Sequence, residues 1–294
     1  MNIGTPRITV VVPTYNRPAS LTYCLQHLAA QETDEAVEIL VVDDGSDDAE
    51  PVADAVARIP SARLIRQARK GPAAARNAGV RAAAGSLICL TDDDCEPDRA
   101  WASRLARALH DGEDVVAGLT RNGAGDSRVA LASQLLVEHF AEQSAVPFAA
   151  SNNIGATARL LREIPFDESY PDAGGEDRDW CQRVAARGYR IAHDPSALIV
   201  HHQSLTLRRY VSQHARYGRA SYHYHRSPRG RRSLERPHFY AGLIRRGFRA
   251  GPSVGLLVTA AQWVTALGYL SEWLRASVPS RRDRSARDRS GSRR

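Results

Sequence analysis

The sequence predicts an α/β protein built around a doubly wound, mostly parallel β-sheet. Three short, nearly continuous and β-branched apolar runs, at residues 8–12, 37–42 and 86–90, are typical of strands buried on both faces of such a sheet. Helical stretches separate these runs, which gives the βαβα order of the fold class. Ligands of such sheets bind at the carboxyl ends of the strands, so the residues after each strand are the first candidates for a site.

Proline and glycine residues delimit the elements of the first half. Pro18 precedes the first helix, Pro60 ends the second, and the third begins at Pro72 and ends at Gly85. The predicted elements are a strand at 8–12, a helix at 19–30, a strand at 37–42, a helix at 49–59, a strand at 62–67, a helix at 72–84 and a strand at 86–90. A chain of 294 residues is long enough for one large domain of this kind with appendages.

The pattern is less regular in the second half. The Asp194-Pro195 pair stands between two apolar runs, which are predicted to be separate strands. The predicted elements are a helix at 98–110, a strand at 115–119, a helix at 129–143, a short segment at 149–157, a helix at 176–187, strands at 189–192 and 197–200, and basic helices at 205–226 and 239–249.

Charge divides the chain near residue 200. Residues 1–200 contain 20 Lys and Arg against 29 Asp and Glu (net −9), whereas residues 201–294 contain 20 against 4 (net +16). An acidic body that attracts divalent cations, followed by an arginine-rich extension that meets anionic lipid or another polyanion, accounts for this division. For the last twenty residues, a basic tail that only improves solubility is the alternative.

Residues 254–274 form a mostly apolar stretch that is nearly long enough to cross a bilayer. Polar residues interrupt it, so a helix in the membrane interface, with Trp263, Tyr269 and Trp273 at headgroup level, is favoured over a span. A helix packed on the body or in a dimer is the alternative, with equal weight. Residues 275–294 contain eight arginines among serines and aspartates and are predicted to be disordered.

The cysteines and the N-terminus indicate a cytoplasmic location. The four cysteines contain no CxxC pair and no zinc-site spacing, so reduced thiols are expected. The first apolar run is too short for the core of a signal peptide and leads directly into Pro13.

An acid pair, Asp43-Asp44, follows the second strand directly and precedes Gly45-Ser46. A carboxylate at this edge accepts hydrogen bonds from a nucleotide base or a ribose hydroxyl. Capping of the helix at 49–59 is the alternative, and one acid is expected to serve each role.

Three consecutive acids, Asp92, Asp93 and Asp94, follow the strand at 86–90. Three carboxylates at close range need a cation or solvent to remain ionised together. Their oxygens are the ligands that Mg²⁺ or Mn²⁺ prefers, and the apolar run before them argues against the alternative of a solvated acidic loop. The sequence therefore predicts a divalent metal site here.

The helix that begins after Lys70-Gly71 carries Arg76 and Asn77 near its N-terminus. Its free N–H groups and Arg76 are suited to an anion, although Arg76 pairing with a nearby acid is the alternative. Neither a GxGxxG sequence after the first strand nor a GxxxxGK[ST] sequence occurs, which argues against a dinucleotide cofactor and a P-loop.

A helix preceded by Gly174-Gly175 begins with acidic residues. Asp177 lies three and four residues before Trp180 and Cys181, so its carboxylate is predicted to point inward as a general base, with N-capping as a compatible role. Asp179 is predicted to pair with Arg183 along the helix. His201 follows a late strand and is a candidate third metal ligand.

Taken in order, these motifs resemble the family-two inverting glycosyltransferases of the GT-A fold, over residues 7–225. Each motif alone is weak, but six in series are specific. The matching segments are Val11-Val12-Pro13-Thr14-Tyr15-Asn16-Arg17, Val41-Val42-Asp43-Asp44-Gly45-Ser46, Ala75-Arg76-Asn77-Ala78-Gly79, Asp92-Asp93-Asp94, Phe166-Asp167-Glu168 and Gly175-Glu176-Asp177-Arg178-Asp179.

The resemblance implies a role for each matching residue. The metal, Mg²⁺ or Mn²⁺, is expected on Asp92, Asp94 and His201, and the catalytic base is assigned to Asp177 with Glu176 beside it. The nucleotide-sugar donor is expected on Pro13, Thr14, Tyr15, Asn16, Arg17, Asp43, Asp44, Gly71, Arg76, Asn77, Asp92 and Asp93. The reaction implied is one in-line displacement with inversion at the anomeric carbon.

The resemblance also suggests how the chain is divided. Residues 1–203 are expected to form the catalytic domain, with a nucleotide-binding half at 1–98 and an acceptor half at 99–203. Residues 204–274 are expected to be a basic helical, membrane-associating extension, and 275–294 a disordered tail. The expected partners are a UDP-, GDP- or dTDP-sugar, a glycan or lipid-linked acceptor, and an anionic membrane surface at the inner face of the cell membrane. Nucleic acid is not expected as a partner, because no base-reading motif is present.

Two other functional interpretations of the sequence remain open. A nucleotidyltransferase that makes a nucleotide sugar also uses an α/β domain and a metal, but it needs a basic, glycine-rich loop that Thr14-Tyr15-Asn16-Arg17 does not resemble. A non-catalytic nucleotide- or membrane-binding module is the second, and the presence of both the metal acids and the inward Glu-Asp pair argues against it.

Overall fold

The structure is a computed structural model that describes residues 7–144, 148–170, 174–203, 205–226 and 235–277. The tail predicted to be disordered lies outside the described residues from 278 onward.

One mixed sheet of eight strands forms the centre of the described protein, in the order β3-β2-β1-β4-β7-β6-β8-β5. The strands are β1 (Ile8–Thr14), β2 (Val37–Asp43), β3 (Ala62–Arg66), β4 (Leu87–Thr91), β5 (Cys95–Pro97), β6 (Val115–Asn122), β7 (Asn153–Thr157) and β8 (Ile191–His201).

The first four strands are all parallel, as the apolar runs predicted. Their order places the first strand between the second and the fourth, with Thr14 of β1 opposite Asp43 of β2. The strand β4 ends at Thr91 on the other side of β1. The residues after β1, β2 and β4 therefore meet at one edge of the sheet.

Helices cover both faces of the sheet and give the described body three layers. Alternate residues of a strand belong to different cores: Val10 and Val12 pack with α1, α2 and α4, whereas Val11 packs with α3, α6 and α7. Such two-sided burial is why the strands read as continuous apolar runs. The helices are α1 (Pro18–Ala29), α2 (Glu50–Ala57), α3 (Pro72–Ala82), α4 (Trp101–His110), α5 (Arg128–Gln143), α6 (Ala158–Glu163) and α7 (Glu176–Ala186).

The second half of the sheet corrects one expectation and confirms another. Residues 189–192 and 197–200 do not form separate strands: β8 is continuous and parallel to β6, and a register shift between Gly118 and Leu119 accommodates the Asp194-Pro195 turn. The strand β7 is antiparallel to both β4 and β6, but four of the seven described strand pairings are parallel, so the predicted mostly parallel sheet is confirmed.

A short strand that sequence patterning missed brings two motifs together. The strand β5 is three residues long and pairs antiparallel with the end of β8, so that Cys95 lies opposite His201. Asp94 immediately precedes β5, and the backbone N–H of His202 donates to its carbonyl oxygen at 2.9 Å. This pairing places His201 beside the acid triplet despite their separation in sequence.

The C-terminal helices α8 (Leu207–Arg226), α9 (Pro237–Ala250) and α10 (Pro252–Ser277) pack on the body through α5. A small core joins Ala132 and Leu135 of α5 to Tyr210, Leu243 and Val258 of the three helices. The packing alternative for residues 254–274 is thereby confirmed for one face of α10. The opposite face is apolar and exposed, and α10 is long and apolar enough to cross a membrane.

Candidate active site

A cleft of about 1930 Å³ opens at the carboxyl edge of the parallel strands. It lies between the turns after β1, β2 and β4 on one side and helices α7, α8 and α10 on the other. Fourteen of the sixteen predicted site residues line it: Pro13, Thr14, Tyr15, Asn16, Arg17, Asp44, Gly71, Arg76, Asp92, Asp93, Asp94, Glu176, Asp177 and His201.

The turn after β1 is bonded to its neighbours on both sides. Asn16 adopts a left-handed backbone conformation (φ 55°), and its side chain exchanges hydrogen bonds with Asp47 in the turn after β2. Thr14 donates to Asp93 at 2.7 Å, and Arg17 contacts Asp93 and Asp94 at 3.1 and 3.0 Å. The predicted donor-binding turn is therefore held against the acid triplet.

The two acids after β2 have different partners, and the expected division into one helix cap and one nucleotide ligand is not found. Asp44 lines the cleft and accepts hydrogen bonds from Gln67 and from the backbone N–H groups of Lys70 and Gly71. Asp43 is fully buried behind the cleft wall, where it accepts from the amide and hydroxyl of Ser46. Neither acid is bonded to α2 in the described hydrogen bonds, and the first N–H of that helix, at Glu50, donates to Asp48 at 3.2 Å instead, so the capping alternative is wrong for both acids.

Arg76 is a buried bridge between two motifs. Its guanidinium donates to Asp92 at 2.7 Å and to Glu176 at 3.3 Å, and its side chain is only 5% exposed. The alternative that Arg76 pairs with nearby acids is thus confirmed. The bridge connects the end of β4 with the start of α7 across the cleft.

The prediction for Asn77 needs correction. Its amide nitrogen donates to the carbonyl oxygen of Phe166 and to Glu168, and its amide oxygen accepts from the N–H of Phe166. These bonds turn Asn77 away from the cleft, so it fixes the Phe166-Asp167-Glu168 segment and does not line the nucleotide side. Two of the matching motifs therefore support each other structurally.

The acid triplet holds three differently placed carboxylates. Burial raises the pKa of Asp93 to about 7, with Arg17 opposing the shift and Asp94 adding to it. Burial also acts to raise the pKa of Asp94, but the hydrogen bond and charge of His201, together with Arg17, outweigh it and lower that pKa. The pKa of His201 is raised because its bond to Asp94 outweighs burial.

A carboxylate oxygen of Asp94 and Nε2 of His201 lie 3.0 Å apart at the cleft wall, with side chains 14% and 15% exposed. The Cys95 sulfur also lies within 4.8 Å of both, but burial raises its pKa well above the usual value, which makes it a poor ligand. An oxygen and an imidazole nitrogen suit a divalent cation such as Mn²⁺. The structure does not bring Asp92 into this group, because Arg76 holds its carboxylate.

The start of α7 presents two acids to the cleft. Glu176 is buried and accepts the backbone N–H of Gly174 at 2.6 Å in addition to its pair with Arg76. Asp177 is partly buried and accepts the N–H of Arg178 at 2.8 Å, and within the described part of the chain no side chain donates to it. Burial, reinforced by the charge of Glu176, raises the pKa of Asp177 above that of an ordinary aspartate.

The neighbouring acid of the same helix serves a different purpose. Asp179 is buried and pairs with Arg183 at 2.6 Å, as the spacing predicted. Its partner also donates to the carbonyl oxygen of Pro165. Asp179 therefore belongs to the structure of the helix, whereas Asp177 faces the cleft.

Sequence reasoning missed the side of the cleft that the C-terminal helices form. Tyr217 of α8 accepts from Gln213 at 2.6 Å, and burial, together with the charges of Asp177 and Glu176, raises its pKa to about 12. Arg216, Gln262 and Trp263 line the same side. The sequence does carry a signal for this side of the cleft. Polar and aromatic residues recur at intervals of three and four positions in 209–225, which is typical of one helix face.

Comparison with known proteins agrees with this architecture. Residues 9–165 match the sequence model of the family described as Glycosyl transferase family 2. The chain is 33% identical to the succinoglycan biosynthesis protein ExoO of Rhizobium meliloti over 67% of this chain and 61% of that protein. It is 29% identical to the pre-mycofactocin glycosyltransferase of Mycobacterium tuberculosis over 72% of this chain and 46% of the relative. The chain thus spans less than two thirds of the length of both relatives.

Solved structures show the same fold at low identity. The mannosyltransferase PcManGT from Pyrobaculum calidifontis, in complex with GDP-Man and Mn²⁺, superposes with a TM-score of 0.60 at 22% identity, over 98% of this chain and 80% of that one. S. aureus TarS 1-349 in complex with UDP-GlcNAc superposes with a TM-score of 0.54 at 19% identity, over 84% and 74% of the two chains. Both likenesses establish the fold of the present chain.

Proposed function

The chain belongs to glycosyltransferase family 2 and has the GT-A fold, and from this premise we propose that it transfers a sugar, with inversion, from a nucleoside-diphosphate donor to an acceptor hydroxyl. The observation that carries the proposal is the cleft itself. Within it, the turn after β1, the acid triplet and the inward Asp177 share one cavity.

The donor would lie over the turns after β1 and β2. Tyr15 offers an aromatic face with the guanidinium of Arg69 over it, 4.2 Å from the ring centre. Asp44 accepts the backbone N–H of Gly71, the residue that precedes α3 and has a positive φ of 93°. The N–H groups at the start of α3 favour an anion. A UDP-, GDP- or dTDP-sugar is the proposed donor class, and relatives with GDP-Man and UDP-GlcNAc bound in the same fold support it.

Asp94 and His201 would hold a divalent cation, Mg²⁺ or Mn²⁺, with Asp92 as a further candidate ligand. When bound, such a cation stabilises negative charge on the departing diphosphate. This metal assignment rests on the two ligand atoms, a carboxylate oxygen and an imidazole nitrogen, and on their position at the cleft wall. Arg17 contacts Asp94 and its neighbour Asp93 and balances part of the charge of the acid triplet.

Asp177 would remove the proton from the acceptor hydroxyl. Its raised pKa makes it a stronger base than an ordinary aspartate, and its place at the start of α7 faces the cleft. Glu176 would act as a positioning residue, because it connects the start of α7 through Arg76 to Asp92. The acceptor oxygen would attack the anomeric carbon from the side opposite the diphosphate, which inverts the linkage.

The setting proposed for this reaction is the inner face of the cell membrane, in the synthesis of a cell-envelope glycan or glycolipid. The excess of arginine in the C-terminal helices and the exposed apolar face of α10 support the membrane setting. The similarity to ExoO, a succinoglycan biosynthesis protein, supports the glycan class.

The test compares Asp177→Asn with the wild type and with Asp54→Asn, an exposed aspartate on α2. Release of nucleoside diphosphate is measured on a panel of UDP-, GDP- and dTDP-sugars with Mn²⁺, and proton NMR identifies the anomer of the released sugar. We expect Asp177→Asn to lower turnover by about a hundredfold or more while donor binding stays within about twofold. Normal turnover in Asp177→Asn would remove Asp177 as the base, and a released sugar of retained configuration would contradict inversion.

A further inference from the structure

The cleft continues past Asp177 into a groove between α8 and α10. The side chains that line this groove follow helical spacing, so each helix presents one continuous face to it. From α8 they include Arg209, Ser212, Gln213, Arg216, Tyr217 and Ser221, and from α10 they include Thr259, Gln262, Trp263, Ala266 and Tyr269. This groove is a polar and aromatic extension of the site on the side of the proposed base.

An exposed apolar stripe runs along α10 beside that groove. Its members, which we call the α10 stripe, are Leu256, Trp263, Leu267, Leu270 and Leu274, between 46% and 71% exposed. At 100° per residue they fall within an arc of about 60°. Trp263 belongs both to the stripe and to the groove lining, so the groove opens directly onto an apolar surface.

The C-terminal helices, of which the stripe is one face, carry an excess of positive charge. Within the described residues 205–226 and 235–277, ten arginines face two acids, Glu235 and Glu272, an excess of 10 − 2 = 8. Glu235 pairs with Arg178 and Glu272 with Arg275, and among the ten arginines Arg246 pairs with Glu138 and Glu142 of α5. Arg245 and Arg249 are exposed on α9, whose Phe248 packs against Gly255 of α10.

Arg216 carries this positive charge into the groove. It lies one residue before Tyr217, and both side chains line the same cleft as Asp177. Its guanidinium contacts the hydroxyl of Ser212 at 3.4 Å. A cation between an apolar mouth and a general base is suited to a phosphate attached to an apolar chain.

We infer that the acceptor is a lipid-linked molecule that carries a phosphate as well as the accepting hydroxyl. It enters the groove at Trp263 from an anionic bilayer bound by the α10 stripe, and Arg216 holds its phosphate. This inference rests on the proposed function and names the acceptor class of the same site. Charge complementarity favours a bilayer over a second copy of the chain as the surface that covers the stripe. An anionic bilayer matches exposed leucine and tryptophan on helices with an excess of arginine, whereas a second copy would place two positive surfaces together.

The first experiment measures co-sedimentation of the full chain with vesicles of equal parts phosphatidylglycerol and phosphatidylcholine. Leu267→Glu/Leu270→Glu changes two exposed positions of the stripe, and Leu207→Glu, which alters a leucine 57% exposed at the start of α8, is the matched control. We expect the double variant to lose binding by about tenfold or more, and the control to lose less than about twofold. Equal binding by the double variant and the control, or self-association that the double variant abolishes without vesicles, would overturn the bilayer as the occupant.

The second experiment measures binding of farnesyl phosphate and of inorganic phosphate by calorimetry, with the donor site filled by the nucleoside diphosphate that binds. We expect farnesyl phosphate to bind about tenfold or more tightly than inorganic phosphate, and Arg216→Gln to remove that binding while nucleoside diphosphate affinity is unchanged. Equal affinity for the two phosphates would show that no lipid chain is recognised, and an unaffected Arg216→Gln would remove Arg216 from the site.

Failure of this inference is distinguishable from failure of the proposed function. Neither readout requires sugar transfer, so Asp177→Asn is expected to bind vesicles and farnesyl phosphate as the wild type does. Loss of donor turnover affects only the proposed function, whereas loss of both lipid readouts with normal donor turnover overturns only the lipid-linked acceptor.

Discussion

Replacing Arg76 with methionine tests the bridge between the acid triplet and the start of α7. The side chains of Arg76 and Glu176 are 5% and 6% exposed, and Asp92 is 29% exposed. Removing one partner of a buried ion pair costs about 3–5 kcal/mol, because a buried charge is left without its partner. Glu176 keeps its bond from the N–H of Gly174, so we expect Arg76→Met to lose about 3 kcal/mol of unfolding free energy.

The assay is urea-induced unfolding of the wild type, Arg76→Met, Glu176→Gln and the double variant. Because Glu176→Gln removes the charge that Arg76→Met leaves unpaired, we expect the double variant to be more stable than additivity predicts, by about 1–3 kcal/mol. The matched control is Arg63→Met, whose arginine is 49% exposed beside Glu38 and is expected to contribute about 1 kcal/mol or less. Additive single effects, or a loss in Arg76→Met no larger than that in Arg63→Met, would refute the reasoning.

Three further predictions concern the base, the metal and the C-terminal helices. The proposed base acts as a carboxylate and burial raises the pKa of Asp177, so turnover should rise with pH over a range above that of an ordinary aspartate. Arg76→Met removes a charge that lowers this pKa and should therefore move the rising limb of the pH-rate profile to higher pH. A rising limb at the wild-type position in Arg76→Met would count against Asp177. Asp94→Asn and His201→Gln should each remove the Mn²⁺-dependent part of donor affinity, measured by titration with and without EDTA, and an unchanged metal effect in both would exclude this pair as ligands. Gly218→Ala would place a Cβ against the α10 backbone and should lower the unfolding free energy by about 1–3 kcal/mol in urea, whereas wild-type stability would show that α8 and α10 do not pack as described.

The parallel half of the fold and most of the cleft wall were predictable because local signals coincide there. Strands buried on both faces read as apolar runs, and the residues that follow them reach one edge by topology alone. Thr14, Asp44 and Asp93 therefore lie together as expected, although they are far apart in sequence.

Three features were not predictable because they depend on contacts between distant segments. The three-residue strand β5 is too short to carry a periodic signal, yet its pairing with β8 places His201 beside Asp94. Asn77 is polar and close to Arg76 in sequence, but the turn of α3 directs it toward Phe166. The groove face of α8 consists of polar and aromatic residues, which a pattern search assigns to solvent until α10 is packed against it.

The most direct test of the central claim is isothermal titration of the purified chain with UDP, GDP and dTDP and then with their common sugar conjugates, each with Mn²⁺ and again with EDTA. A glycosyltransferase whose donor site is the cleft beside Asp94 and His201 is expected to bind one nucleoside diphosphate and its sugar conjugate with Mn²⁺, and to lose that binding by about tenfold or more in EDTA. Absence of binding to any of them by the folded protein, with or without Mn²⁺, would contradict the claim.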